Sequence, residues 1–164
     1  MCFNIDEYKE KIEYFFKIME QNKDIVDIKL CNEKWTLKEL VLHLVEEASI
    51  SHQTYVRLQI DHRVKFPIYD PEIWKNITKI QGYNFIDLIN LWKYYNYFLL
   101  HLIQNIEEKD LDNIWERDGM EGMEFTLKYC IEDYFVRHMD LHIDLYNERI
   151  KEINNEKFKK EISV

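Results

Sequence analysis

A chain of 164 residues, 46% hydrophobic and 15% aromatic, is long enough to bury one core without help from disulfides or a partner. Only three glycines and two prolines are available for tight turns, which argues against an all-β fold. With 31 acidic against 22 basic residues the net charge is -9, and the basic residues stand singly among acids, so a polyanion is repelled and nucleic acid is excluded as a partner.

From Ile5 to about Asn22 the residues Tyr8, Ile12, Phe15, Phe16 and Met19 recur at three- and four-residue spacing, which predicts a first helix with one buried stripe. A loop runs through Cys31. Thr36-Leu37-Lys38-Glu39 then offers a capping box, and a second helix is expected from there to about Asp61, carrying Leu40, His43, Leu44, Glu47 and Ile50. Residues 62 to 83, with Pro67 and Pro71, read as a long crossover that holds at most a short helical turn around Glu72 to Ile77. Asn84 and Asp87 resemble an N-terminal cap, and a third helix with a broad apolar face should end near Lys109. Asp110 to Glu124, with Gly119, Gly122 and the Asp118-Gly119 turn signal, predicts a loop or small hairpin. Thr126 reopens helix, and the pattern Leu127, Cys130, Ile131, Tyr134, Met139, Leu141, Leu145 and Tyr146 sustains a fourth to about Ile153. The expected fold is therefore all-α, one four-helix domain over residues 1–164 with its long crossover between helices two and three.

Cys2, Cys31 and Cys130 are far apart and form no Cys-x-x-Cys pair, so a reducing cytoplasm is expected in place of a disulfide framework. The N-terminal residues have neither a basic start nor an apolar stretch, and the apolar cluster from Leu99 to Ile103 is interrupted by His101; neither a signal peptide nor a bilayer span is expected.

Three histidines bear on chemistry. His138 and His142 are four residues apart, which puts both on one helix face with Cβ atoms roughly 6 Å apart. That spacing suits two ligands of one ion, but taken alone it is a weak signal, and two solvated or singly hydrogen-bonded imidazoles are its commoner source. His43 sits in the half-buried run Leu40-Val41-Leu42-His43-Leu44-Val45, where its ring needs a partner, either a metal or a hydrogen-bonding group. His52 falls on a different face, His62 stands at a helix end and His101 is isolated; these read as surface or structural. Glu46 and Glu47, about one turn beyond His43, are candidates to orient an imidazole or act as a general base, although helix surfaces commonly carry Glu. Trp92, Tyr94, Tyr95, Tyr97 and Phe98 read as core packing in preference to a substrate pocket. No Gly-rich phosphate loop or nucleophile elbow is present.

The segments from Trp35 to Leu44 and from Tyr134 to Ile143 together resemble the DinB-like superfamily, and the likeness spans nearly the whole chain. The resemblance implies an up-down-down-up four-helix bundle. It also implies a three-histidine site for a divalent transition metal such as zinc, nickel or iron, made by His43, His138 and His142. Glu46 stands where the family more often has Asp after the first histidine. Three imidazoles with no fourth protein ligand would leave positions open for water or substrate. The family further implies a metal-dependent hydrolase, or a transferase that couples a low-molecular-weight thiol to a small-molecule electrophile, and a homodimer. The competing expectation is a non-catalytic bundle or dimerisation module whose metal, if any, is structural.

Overall fold

The computed structural model describes residues 3–119 and 122–162; Cys2 and the tip of the expected hairpin at 120–121 lie outside the described residues. Among the described residues there are six α-helices: α1 (Ile5–Gln21), α2 (Leu37–Arg57), α3 (Pro71–Thr78), α4 (Phe85–Gln104), α5 (Leu127–Asp133) and α6 (Met139–Ile162). A π-helical turn, Tyr134–His138, joins α5 to α6 and makes one long last helix of the three segments. The bundle consists of α1, α2, α4 and this composite helix, as the hydrophobic periodicity predicts.

Ring and ion-pair contacts give the helix directions. Tyr8 stacks on Phe135, Lys11 pairs with Asp140 and Phe15 meets Tyr146 edge-on, so α1 and the last helix advance together. Arg149 donates to the Trp35 carbonyl while His142 lies against His43, so α2 runs opposite to α6. Lys38 reaches the Gln81 carbonyl just before α4, and His52 packs on Phe98 within it, so α2 and α4 are parallel. The course is up-down-down-up. Two parallel neighbours in succession require the chain to return along the whole bundle between them, which is why the α2–α4 connection is long.

Helix starts follow the expected chemistry. The Thr36 hydroxyl accepts from the Glu39 amide while the Glu39 carboxylate accepts from the Thr36 amide. Asn4, Asn84 and Thr126 cap α1, α4 and α5 in the simpler one-sided way. At the centre, Phe15 sits edge-on to both Trp92 and Tyr146, each pair with centroids 5.4 Å apart and all three rings buried, so one aromatic cluster joins three helices.

Several boundaries differ from the sequence reading. α2 ends at Arg57 and not Asp61, α4 at Gln104 and not Lys109, and α6 extends to Ile162, past Ile153. The crossover contains a strand, β1 (Arg63–Phe66), that pairs in parallel with β2 (Ile114–Arg117), which in turn pairs antiparallel with β3 (Glu124–Thr126). A loop or small hairpin was expected over Asp110 to Glu124, and β2 with β3 forms the hairpin; the third strand, β1, was not expected. Four residues with only two strongly apolar side chains, Val64 and Phe66, are too short for period-two alternation to stand out, and β1 finds its partner 51 positions further along the chain. The sheet matters because, together with α2, it walls the space described next.

Candidate metal centre

His43 projects from the middle of α2, His138 closes the π-helical turn and His142 lies one turn further on α6. One nitrogen from each ring lies within 4.8 Å of the other two, and Nε2 of His138 is 3.2 Å from Nε2 of His142. A π turn inserts an extra residue into the helical ladder and re-aims the side chains that follow, a device that recurs where a helix carries function. Here it ends on His138. The three histidines singled out in the sequence are thus brought together, and the other three are not. His52 bonds Tyr95, His62 bonds Asn113, and His101 is exposed near the end of α4.

Electrostatics keep the three rings neutral. Burial, reinforced by the neighbouring His138 imidazole, holds the His43 pKa down at about 4. Burial and the two neighbouring imidazoles bring His142 to about 3. His138 is lowered by burial and Arg137, against the opposing pull of Asp133. Neutral imidazoles with free lone pairs are the form a metal binds. The donor set is all nitrogen, with no carboxylate or thiolate among the described residues joining the same point, and it suits borderline ions such as zinc, nickel or iron. The residues present therefore fit a divalent transition metal.

Around the rings the crossover supplies side chains that periodicity did not flag. Tyr69 stacks on His43, its hydroxyl 2.8 Å from His43 Nδ1, and it donates a 2.6 Å hydrogen bond to the Glu46 carboxylate. Glu46 is buried, which raises its pKa, against the hydrogen bonds from Tyr69 and Thr78. Trp35 lies edge-on to His43 and donates through its indole N–H to Glu72 of α3, with Lys75 over its ring.

Two cavities open beside this cluster. One, about 420 Å³, is walled by Ile50, Phe66, Ile68, Trp74 and Trp115 and reaches Tyr69. The other, about 330 Å³, lies under Phe125, Tyr129 and Tyr134 and reaches His138. Glu47, Ile50, Trp115 and Arg117 line both. Burial lifts the Glu47 pKa to about 7, Arg117 opposing and Glu46 and Asp133 adding to the rise. The aromatic run of α4 is divided: Trp92 is core, as expected, Tyr94 and Phe98 are exposed, and the cavity aromatics come instead from α2, the crossover, the sheet and the last composite helix.

Fold and cluster together define a four-helix bundle of up-down-down-up course in which α2 and the last long helix bring three imidazoles together. Among solved structures the chain is similar to YfiT from Bacillus subtilis, described as a probable metal-dependent hydrolase with an unusual four-helix bundle topology. The TM-score is 0.69 at 15% identity over 94% of this chain and 90% of that one, a likeness of fold. No protein-family model matches the chain, and no curated protein matches it in sequence. Among the described residues no helix is long and apolar enough to cross a membrane.

Proposed function

We propose that the chain is a single-domain, metal-dependent hydrolase of small molecules, with His43, His138 and His142 as the three protein ligands of one zinc, nickel or iron ion. The observation that carries this reading is the convergence of three neutral imidazoles beside open cavities. His43, His138 and His142 would hold the ion, which would supply the means to lower the pKa of a water or thiol at the site. A purely structural ion would be expected in a closed site, whereas His138 lines a cavity of about 330 Å³. Glu47, which lines both cavities, would serve as the base that takes a proton from an attacking water and returns it to the leaving group. The apolar walls favour a substrate with a hydrophobic body. The description of YfiT as a probable metal-dependent hydrolase points in the same direction.

Two cavities instead of one favour a second reading, in which a low-molecular-weight thiol occupies one and its electrophilic partner the other. The test is metal analysis of protein never exposed to chelator, followed by a panel of small esters and amides with and without an added thiol. About one ion per chain, and ester or amide turnover that the His43→Ala variant lacks, is expected. Thioether products would shift the assignment to the second reading, and metal-free wild type with turnover unchanged in the variant would overturn both.

The same reading includes a homodimer in the cytoplasm, in keeping with the free thiols of Cys31 and Cys130. Leu91, Tyr94 and Phe98 form an exposed stripe at i, i+3, i+7 on α4, with exposures of 46, 63 and 47%, and a second copy is the partner proposed to cover it. Sedimentation at micromolar concentration should give twice the chain mass, and Tyr94→Glu should halve it. A monomeric wild type would remove the dimer from the proposal.

A further inference from the structure

His43 is the ligand candidate that stands apart, alone on α2, and its orientation depends on a residue of the crossover. Tyr69 has one hydroxyl proton, and it is committed to Glu46 at 2.6 Å. With that proton given to Glu46, the Tyr69 oxygen facing His43 at 2.8 Å is left as an acceptor. Its partner must then be a His43 Nδ1–H. A neutral imidazole carries one proton; with that proton on Nδ1, the lone pair is on Nε2.

We infer that Glu46 and Tyr69 form a positioning relay that locks His43 in its Nδ1–H tautomer, with Nε2 ready to ligate. The inference rests on the metal-site reading for its purpose, although the tautomer can be measured without any metal. Ligating histidines generally donate their second N–H to a carboxylate or carbonyl, which fixes the ring and raises its basicity. Here a phenol stands between ring and carboxylate and extends the reach of Glu46, whose own place on α2, three residues after His43, lets it accept from Tyr69 but leaves the ring to Tyr69.

A loop residue can serve in this way only if it is held, and Tyr69 is held on three sides. Arg117 of β2 donates to its backbone carbonyl at 3.2 Å, Trp74 meets its ring edge-on at 5.1 Å, and its face stacks on His43 at an interplanar angle of 11°. The parallel β1–β2 pairing ends at Phe66 with Arg117, so the sheet delivers Arg117 beside the segment that carries Tyr69. His142 makes an informative contrast: its Nδ1 is buried without a hydrogen-bond partner, so among the described residues it has no such relay.

The experiment is Tyr69→Phe, which keeps the ring and deletes the hydroxyl, read in two ways. Nitrogen-15 imidazole spectra of the metal-free protein report the His43 tautomer, and competition with a chromophoric chelator reports zinc affinity. Wild type should show Nδ1–H at His43. The variant should populate Nε2–H and bind zinc about 10- to 100-fold more weakly, the usual consequence of losing an outer hydrogen-bond partner of a ligand. An Nδ1–H tautomer that persists in the variant, or an affinity within twofold of wild type, overturns the relay. Should the carboxylate stranded by Tyr69→Phe unfold the protein, the double variant Glu46→Gln, Tyr69→Phe is read the same way. If wild type binds no zinc, the metal-site reading fails separately, and the tautomer spectra still decide whether the relay exists.

Discussion

Alanine at His138 or His142 is expected to reduce zinc affinity by more than about 100-fold, beyond the 10- to 100-fold loss typical of an outer-shell partner. The reason is arithmetic as well as geometric. Three nitrogens within 4.8 Å of one another make up the whole donor set among the described residues, so removing one leaves two imidazoles and no carboxylate or thiolate of that set to substitute. The effect is visible in stability too. Binding that is exclusive to the folded state contributes about 2.7 kcal/mol when free metal is 100 times Kd. For a chain of this size that corresponds to a rise in Tm of roughly 5–11 °C. Differential scanning calorimetry with and without zinc should show this rise in wild type and its absence in either alanine variant. An equal rise in all three proteins would mean that zinc binds elsewhere.

The three histidines were legible as a set in the sequence through the family resemblance of the segments Trp35 to Leu44 and Tyr134 to Ile143, while their local signatures alone left solvated or hydrogen-bonded imidazoles open. His138 and His142 share a helix face through their spacing, and His43 interrupts an apolar run. The bundle itself was legible from periodicity, since stripes such as Tyr8, Ile12, Phe15 and Met19 are strongly periodic and become buried as a set. What surrounds the histidines was not. Tyr69, Trp74, Trp115 and Arg117 come from the crossover and the small sheet, where elements of three to eight residues carry too few side chains for any period to register. Their relation to His43 arises from a parallel strand pairing between distant segments, a contact that neither segment encodes alone. The π turn at Tyr134–His138 was equally silent, because one inserted residue leaves a helical pattern readable on both sides of it. Glu47 was noticed but could not be separated from an ordinary surface glutamate, since what distinguishes it is its burial against Trp115 and Arg117 from the sheet.

Glu47→Gln therefore tests the part of the proposal that only the three-dimensional arrangement supports. The substitution keeps size and hydrogen-bonding capacity but removes the ability to accept a proton, so kcat in the hydrolytic assay should fall by about 10²- to 10⁴-fold while zinc affinity stays within a few-fold of wild type. The pH profile supplies the sign. Burial holds the Glu47 carboxyl near a pKa of about 7, so at pH 5 it is mostly protonated and cannot act as a base, and at pH 8 it is mostly ionised. Wild-type kcat/KM should rise with pH through that region, and the same limb should be missing in Glu47→Gln. Arg117 opposes the rise caused by burial, so Arg117→Met should move the limb to higher pH without abolishing it. A Glu47→Gln enzyme with wild-type kcat and an unchanged pH limb would remove Glu47 from proton transfer, and would leave the three imidazoles to account for the chemistry without a carboxylate base.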